Sequence, residues 1–322
     1  MELSPEVRIA IVCIFAALLI ASVVSIVIQR LNPDRDFVEL RERVRTWWAI
    51  VGIFSCALFW SRTAAIVFFA FVSFLALKEF LSMTPTRRSD RRVLFYAYLS
   101  IAGQYYFAAS AWYGMFIMFI PVLMFIWLPT RMLMIGQTDG FLRAAGTLHW
   151  ALMITVFSLS HAAYLLVFQE GPTPRIAAQF PSELGALYPG AGLLLFLILV
   201  TELNDIFQYL WGKTFGRHKV APRVSPGKTV EGLLGGIATT ILFAGILGPK
   251  LTLMGPWQSL IAGTIIAIAG FAGDLCMSAL KRDLKIKDFG ASLPGHGGVL
   301  DRVDSLVFTS PLFFHFIYYT YG

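Results

Sequence analysis

Residues 190–216 read GAGLLLFLILVTELNDIFQYLWGKTFG. An uncharged, leucine-rich half leads into Glu202, Asn204, Asp205 and Gln208, and the run closes on Gly212, Lys213 and Gly216. In lipid, an apolar segment of this kind must satisfy its backbone hydrogen bonds internally, which leaves a helix or a closed barrel. A carboxylate at the centre of such a helix costs ~2.5–3.5 kcal/mol on insertion scales. Two acids so close together therefore need partners, water or a task. Asn204 and Gln208 are four residues apart and share one side of the helix with Asp205.

The rest of the chain has the same character. Of its 322 residues, 57% are hydrophobic and only 14% charged, and its mean hydropathy is +0.71. Ordinary soluble domains carry ~25% charged residues. Apolar runs near 9–28, 47–60, 64–81, 93–111, 113–128, 149–168, 191–211, 230–248, 256–280 and 306–321 approach the ~20 residues that cross a bilayer. They predict an all-α, polytopic integral membrane protein with about ten transmembrane helices. The second run is short and the break at Ser61-Arg62-Thr63 is slight, which predicts a tight helical hairpin. The first run has Glu2 and Glu6 against Arg8 and no clear cleavage site, so a retained helix is expected rather than a signal peptide. Cys13, Cys56 and Cys276 all fall inside apolar runs without metal-ligand spacing, and read as small apolar filler.

Five loops, 29–46, 82–92, 129–148, 212–229 and 281–305, hold all but five of the 26 lysines and arginines. With ten spans these loops share one side. The positive-inside rule makes that side cytoplasmic and puts both termini outside. The net charge of +7 is thus local to one face, where it attracts anionic lipid headgroups. It calls for no nucleic-acid partner.

The last two basic loops are also rich in Gly, Pro, Asp and Ser. Residues 211–232 read WGKTFGRHKVAPRVSPGKTVEG, and the run Ser225-Pro226-Gly227-Lys228-Thr229 offers a hydroxyl, backbone amides and an ammonium to anionic oxygens. The spacing is not that of a P-loop. Residues 278–305 read SALKRDLKIKDFGASLPGHGGVLDRVDS. Asp288, Asp301 and Asp304, with Asp274 just upstream, lie beside Lys281, Arg282, Lys287 and Arg302. Hard carboxylates suit magnesium and cations suit the remaining oxygens of a polyphosphate. The glycines around His296 allow backbone to approach a ligand closely. His296 itself reads as a loop-ordering hydrogen bonder or phosphate contact before it reads as an acid or base.

Residues 278–304 fill the pattern Ser-x-apolar-Lys-Arg, four residues, Lys-Asp-x-small, two residues, apolar-Pro-x-His-Gly-Gly-apolar-x-Asp-Arg-apolar-Asp. Here the chain resembles the CDP-diglyceride synthetase (phosphatidate cytidylyltransferase) family. The upstream GKTFGRHKVAPRVSPGKTVEG and the pair Glu79-Phe80 are similar to further family features. The resemblance implies condensation of CTP with phosphatidate to CDP-diacylglycerol and pyrophosphate. It also implies Mg2+, leaves open a second, monovalent cation, and points to a homodimer in the bacterial inner membrane with its active site toward the cytoplasm. Residues 1–190 would be N-terminal transmembrane helices and 191–322 the catalytic region. By position, Asp274 and Asp301 match metal-holding carboxylates, with Asp304 close enough to help. Ser225, Lys228, Thr229, Lys281, Arg282 and Arg302 match phosphate contacts, and Lys287 and His296 join the substrate loop. Asp205 matches the acid heading the second region.

Two departures stand out. The family commonly has Glu where this chain has Met277, and small residues where it has Ile206-Phe207-Gln208. Glu202 and Asp205 are candidates to supply the missing charge; the bland alternative is that Met277 only packs. These departures suit a paralogous branch and leave two rivals: CTP-dependent activation of another lipid phosphate, or a non-catalytic, transporter-like membrane protein. The latter predicts inverted repeats, and none is visible.

Overall fold

A computed structural model describes residues 3–32, 37–84, 87, 90–168 and 189–321. Each predicted apolar run lies in a helix: α1 (Pro5–Leu31), α2 (Val38–Trp60), α3 (Arg62–Met83), α4 (Arg91–Ala109), α5 (Tyr113–Leu133), α6 (Phe141–Val167), α7 (Pro189–Phe215), α8 (Val230–Leu251), α9 (Pro256–Asp283) and α10 (Leu306–Tyr321). Among the described residues, α1, α3 and α5 to α9 are seven helices long and apolar enough to cross a membrane. α5 and α6 each contain one wider π-helical stretch, Phe119–Met124 and Met153–Phe157.

Local chemistry sets the ends of these helices. Ser4 accepts a hydrogen bond from the Val7 amide (3.3 Å) and Pro5 follows at the first helical position, so α1 starts there. Ser61 is extended and caps α3 by accepting from the Ala64 amide (3.0 Å), which makes the predicted hairpin of α2 and α3. α2 is longer than its apolar run suggested, because its first turns are polar: Glu39 and Arg43 pair across one turn. α6 likewise starts eight residues before the predicted run, immediately after Gly140.

The C-terminal helices pack most closely. α8 carries Gly232, Gly236, Thr240, Ala244 and Gly248, all buried, at every fourth position. Such small-residue stripes let membrane helices touch backbone to backbone. A Cβ on Gly236 would sit 2.9 Å from the Cα of Gln208 on α7, so this contact tolerates only glycine. A buried polar network crosses the same bundle. Thr240 donates to Asn204 Oδ1 (3.2 Å), and Thr201 on α7 donates to Thr309 on α10 (3.1 Å). In the N-terminal half, Tyr105 on α4 bonds Ser73 on α3 (2.7 Å), and Gln104 donates to Ser160 on α6 (3.1 Å).

Among the described residues, one two-stranded sheet interrupts the all-α expectation. Lys219–Ala221 (β1) and Ser225–Thr229 (β2) form an antiparallel hairpin, with Lys219 opposite Thr229 and Ala221 opposite Ser225. The basic loops also meet one another. Arg43 donates to the Gly295 carbonyl (3.1 Å), Arg87 to the carbonyls of Gln137 and Asp139 (3.1 and 2.7 Å), and Arg282 to that of Val224 (3.2 Å). At the other end Val7, Gly192 and Leu251 come together. Arg35, Arg88 and Arg175, which belong to the charge pattern, lie outside the described residues.

Much of the outer surface is apolar. Ile9, Val12, Leu19 and Ile20 on α1 are more than half exposed, as are Leu242 and Ile246 on α8. This is the surface expected of helices that face lipid.

Candidate active site

The site forms where the loop end of α9 meets the β1–β2 hairpin and the 284–305 loop. Lys228 is the fourth residue of β2. Its ammonium reaches Asp274 on α9 at 2.6 Å and lies 4.5 Å from the Phe271 ring centre. Both partners are largely enclosed, so neither charge is simply solvated. Asp274 also accepts from Ser278 one turn on (3.3 Å). The hairpin thus carries its one enclosed lysine to an acid 46 positions away in the chain.

A second pair lies two turns beyond Asp274 on α9. Lys281 contacts Asp301 at 3.0 Å, and Asp301 is almost fully buried. Its other oxygen accepts from the amides of Phe289 (2.8 Å) and Gly298 (3.0 Å). Asp301 therefore staples the 284–305 loop together, and both of its oxygens are engaged. Asp205 on α7 accepts from the Ser305 hydroxyl (2.8 Å) through one oxygen; its other oxygen is buried with no hydrogen-bond partner. Asp304 accepts from the Ser305 amide (2.9 Å). Burial and the neighbouring Asp274 carboxylate push Asp304 up to about 7. Glu202, one turn before Asp205, is within electrostatic reach of Asp205, Asp304 and Arg302.

Four carboxylates from α7, α9 and the 303–305 segment thus crowd one region, faced by Lys228, Lys281 and Arg302. Among the described residues, no three histidine, cysteine or acidic side chains converge as a ready ligand set. The donor chemistry nevertheless suits a hard divalent cation. Asp205 has an uncommitted buried oxygen, and Asp304 is pushed toward its protonated form by burial and by a like charge that a cation would offset.

The other predicted residues have mixed positions. Thr229 uses its hydroxyl to cap α8, accepting from the Gly232 amide (3.1 Å). Ser225 sits on β2, half-buried, while Lys287, Arg282 and Arg302 are exposed; Arg282 reaches the hairpin at the Val224 carbonyl, and Arg302 lies within electrostatic reach of Asp205. His296 stands edge-on to Trp47 with centroids 5.9 Å apart, and its Nδ1 lies 3.4 Å from the Pro294 carbonyl. Burial, with Arg302 and Arg43 nearby, shifts His296 below its ordinary range, which favours the neutral ring. The fully buried Met277 belongs to the continuous apolar core.

Sequence reading missed two supports. α2 holds the Pro294–His296 turn through Arg43 and through Thr46, whose hydroxyl donates to the Pro294 carbonyl (2.8 Å). Nothing in the local sequence of α2 signals this. Glu231 accepts from the amides of Arg217 and His218 (3.0 and 3.2 Å) and contacts the His218 ring at 2.5 Å, ordering the approach to β1. An acid in the first turn of a helix was the only available hint.

Comparison with known proteins places these features in context. The sequence model described as "Cytidylyltransferase family" matches residues 41–320. A protein of Escherichia coli K12 named "Uncharacterized protein YnbB" is 44% identical over 306 residues, covering 95% of this chain and 96% of the relative. The phosphatidate cytidylyltransferase of Staphylococcus saprophyticus is 31% identical over 273 residues, covering 84% of this chain and 96% of its own. That of Staphylococcus epidermidis is 41% identical over 124 residues, covering 38% of this chain and 48% of its own.

Proposed function

Because the chain belongs to the cytidylyltransferase family, we propose that it condenses CTP with phosphatidate to give CDP-diacylglycerol and pyrophosphate. The observation that carries this reading is the enclosed Lys228–Asp274 pair beside the Lys281–Asp301 pair. It puts two ammonium groups and their acids at the loop ends of apolar helices, where a soluble triphosphate and a lipid phosphate can both arrive.

The lipid phosphate is already an anionic nucleophile at neutral pH, so no strong base is required. The obstacle is bringing one anion to the α-phosphorus of another. Lys228, Lys281 and the exposed Arg282, Lys287 and Arg302 would hold triphosphate oxygens and stabilise the departing pyrophosphate. The amides and hydroxyl of the Ser225–Thr229 strand would add neutral donors. A divalent cation, Mg2+ by donor chemistry, would supply charge neutralisation. Asp304 and Asp205 would hold it with Asp274, once Lys228 turns from Asp274 to the triphosphate; Asp301 would likewise first have to release Lys281. His296, neutral and packed on Trp47, orders the loop rather than moving a proton.

The test is pyrophosphate release by purified protein given CTP, Mg2+ and phosphatidate, with each omitted in turn. Release is expected only when all three are present. A panel including a polyprenyl phosphate and differently linked lipid phosphates decides the acceptor. Release from another lipid but not phosphatidate would replace the acceptor while keeping the reaction class.

The orientation has its own test. In cells of a Cys-free variant, single cysteines at Arg217 and Lys285 should react with an impermeant reagent only after the cytoplasmic side is opened. A cysteine at Lys250 should react from outside. The opposite pattern would put the nucleotide site on the wrong side of the membrane.

A further inference from the structure

We propose that Glu79, at the end of α3, is a positioning residue for the transfer reaction: its carboxylate holds the turn that presents Asp301 and Arg302. The proposal rests on the functional reading above, but its geometry is independent of it. Glu79 is 6% exposed although it is an acid near the end of a helix. Its two oxygens accept from the amides of Val299 (2.9 Å) and Leu300 (2.8 Å), one each. Those amides lead into the short turn Leu300–Arg302. Charged acceptors make shorter and stronger hydrogen bonds than neutral ones, and two in parallel fix direction as well as distance.

The loop is shaped to receive this carboxylate. A Cβ on Gly298 would lie 2.4 Å from Glu79 Oε2, and one on Gly290 would lie 2.9 Å from Oε1. Both glycines are thus required by the acid. The next residue, Phe80, stacks on Phe289 with centroids 6.4 Å apart, and the Phe289 amide is one of the donors to Asp301. Glu79 and Asp301 therefore grip the same loop, each through two backbone amides. The cationic groups have no such anchor of their own: Arg302 is exposed, and Lys281 is aligned by its contact with Asp301. If the turn rotates, both leave the path of the triphosphate.

Glu79→Gln keeps the volume and replaces one acceptor with a donor that faces a backbone N–H. We expect kcat to fall at least tenfold, while KM for the lipid phosphate and the melting temperature in detergent stay near those of the parent protein. Gly298→Ala should show the same loss. Glu79→Asp, which withdraws the carboxylate by one methylene, should partly restore Gly298→Ala. A spin label at Ser292→Cys in a Cys-free background reads the loop without catalysis, and should become more mobile in Glu79→Gln. Unchanged kcat and unchanged label mobility would overturn the proposal, as would a loss of activity that simply follows a lower melting temperature. If the parent protein released no pyrophosphate from CTP with any lipid, the proposed function would fall, and the label would still decide whether Glu79 holds the loop.

Discussion

Asp274→Asn is expected to lower pyrophosphate release by about 10²–10³ with little effect on folding. Loss of one preorganised charged contact in a transition state is worth ~2.7–4 kcal/mol, which corresponds to that range. Asp274 stands out because it is the acid on which the enclosed Lys228 closes, at 2.6 Å, and because it lies among Asp205, Asp304 and Lys281. Neutralising it would remove a proposed ligand for the cation and would also loosen the hold on Lys228. The folding cost should stay within about 1–3 kcal/mol, because the amide oxygen of asparagine can still accept from the Lys228 ammonium, whose Nζ is buried. Lys228→Met should be impaired to a similar degree but for a different reason, the loss of a triphosphate contact. Its KM for CTP should rise, whereas Asp274→Asn should lose turnover even in saturating Mg2+ and raise the Mg2+ requirement of the activity that remains. More than about a tenth of parent activity retained by Asp274→Asn in saturating Mg2+ would remove it from the ligand set.

The helical architecture was legible because hydropathy is dense and local. A run such as 230–248 has one stable answer in lipid, and the structure makes it helix. The boundaries of α2 and α6 were less legible because their first turns are polar, and hydropathy stops where amphipathic helix begins. Glu39, Arg43 and Thr46 are helical, and tertiary contact with the Gly295 turn supports them; no window of local sequence records that contact. The hairpin at 219–229 escaped notice because strands of three and five residues carry no period to detect. For the site, the residues could be named but not paired. The motif around Lys228 and the motif around Asp301 are separate in the chain. Only the tight packing of α7, α8 and α9 shows that Lys228 meets Asp274 while Asp301 is taken up by Lys281 and two amides. Asp301 thus combines a signature position with a staple role that composition and spacing could not reveal.

Met277→Glu is expected to destabilise the protein strongly and to restore nothing. The family's usual glutamate suggested a charge missing from this position, to be supplied by Glu202 or Asp205. The structure separates these ideas. Glu202 and Asp205 do face the Asp304 region, but Met277 is fully buried within continuous apolar core. A carboxylate there must either stay charged without a partner or take up a proton. Neutralising an acid of ordinary pKa ~4.3 at pH 7 costs about 3.7 kcal/mol before packing is counted. Met277→Leu, nearly volume-conserving, should cost less than ~1.5 kcal/mol, so a melting curve distinguishes charge from shape. Glu202→Gln should fold normally and raise the Mg2+ concentration needed for half-maximal pyrophosphate release several-fold. In the double variant the two effects should add, because one acts on the core and the other on the site. A Met277→Glu protein with the parent melting temperature, which also lowers the Mg2+ requirement of Glu202→Gln, would show instead that the side chain turns out of the core to share the cation. That result would make this branch differ from its relatives by an exchange of one ligand for another rather than by the loss of one.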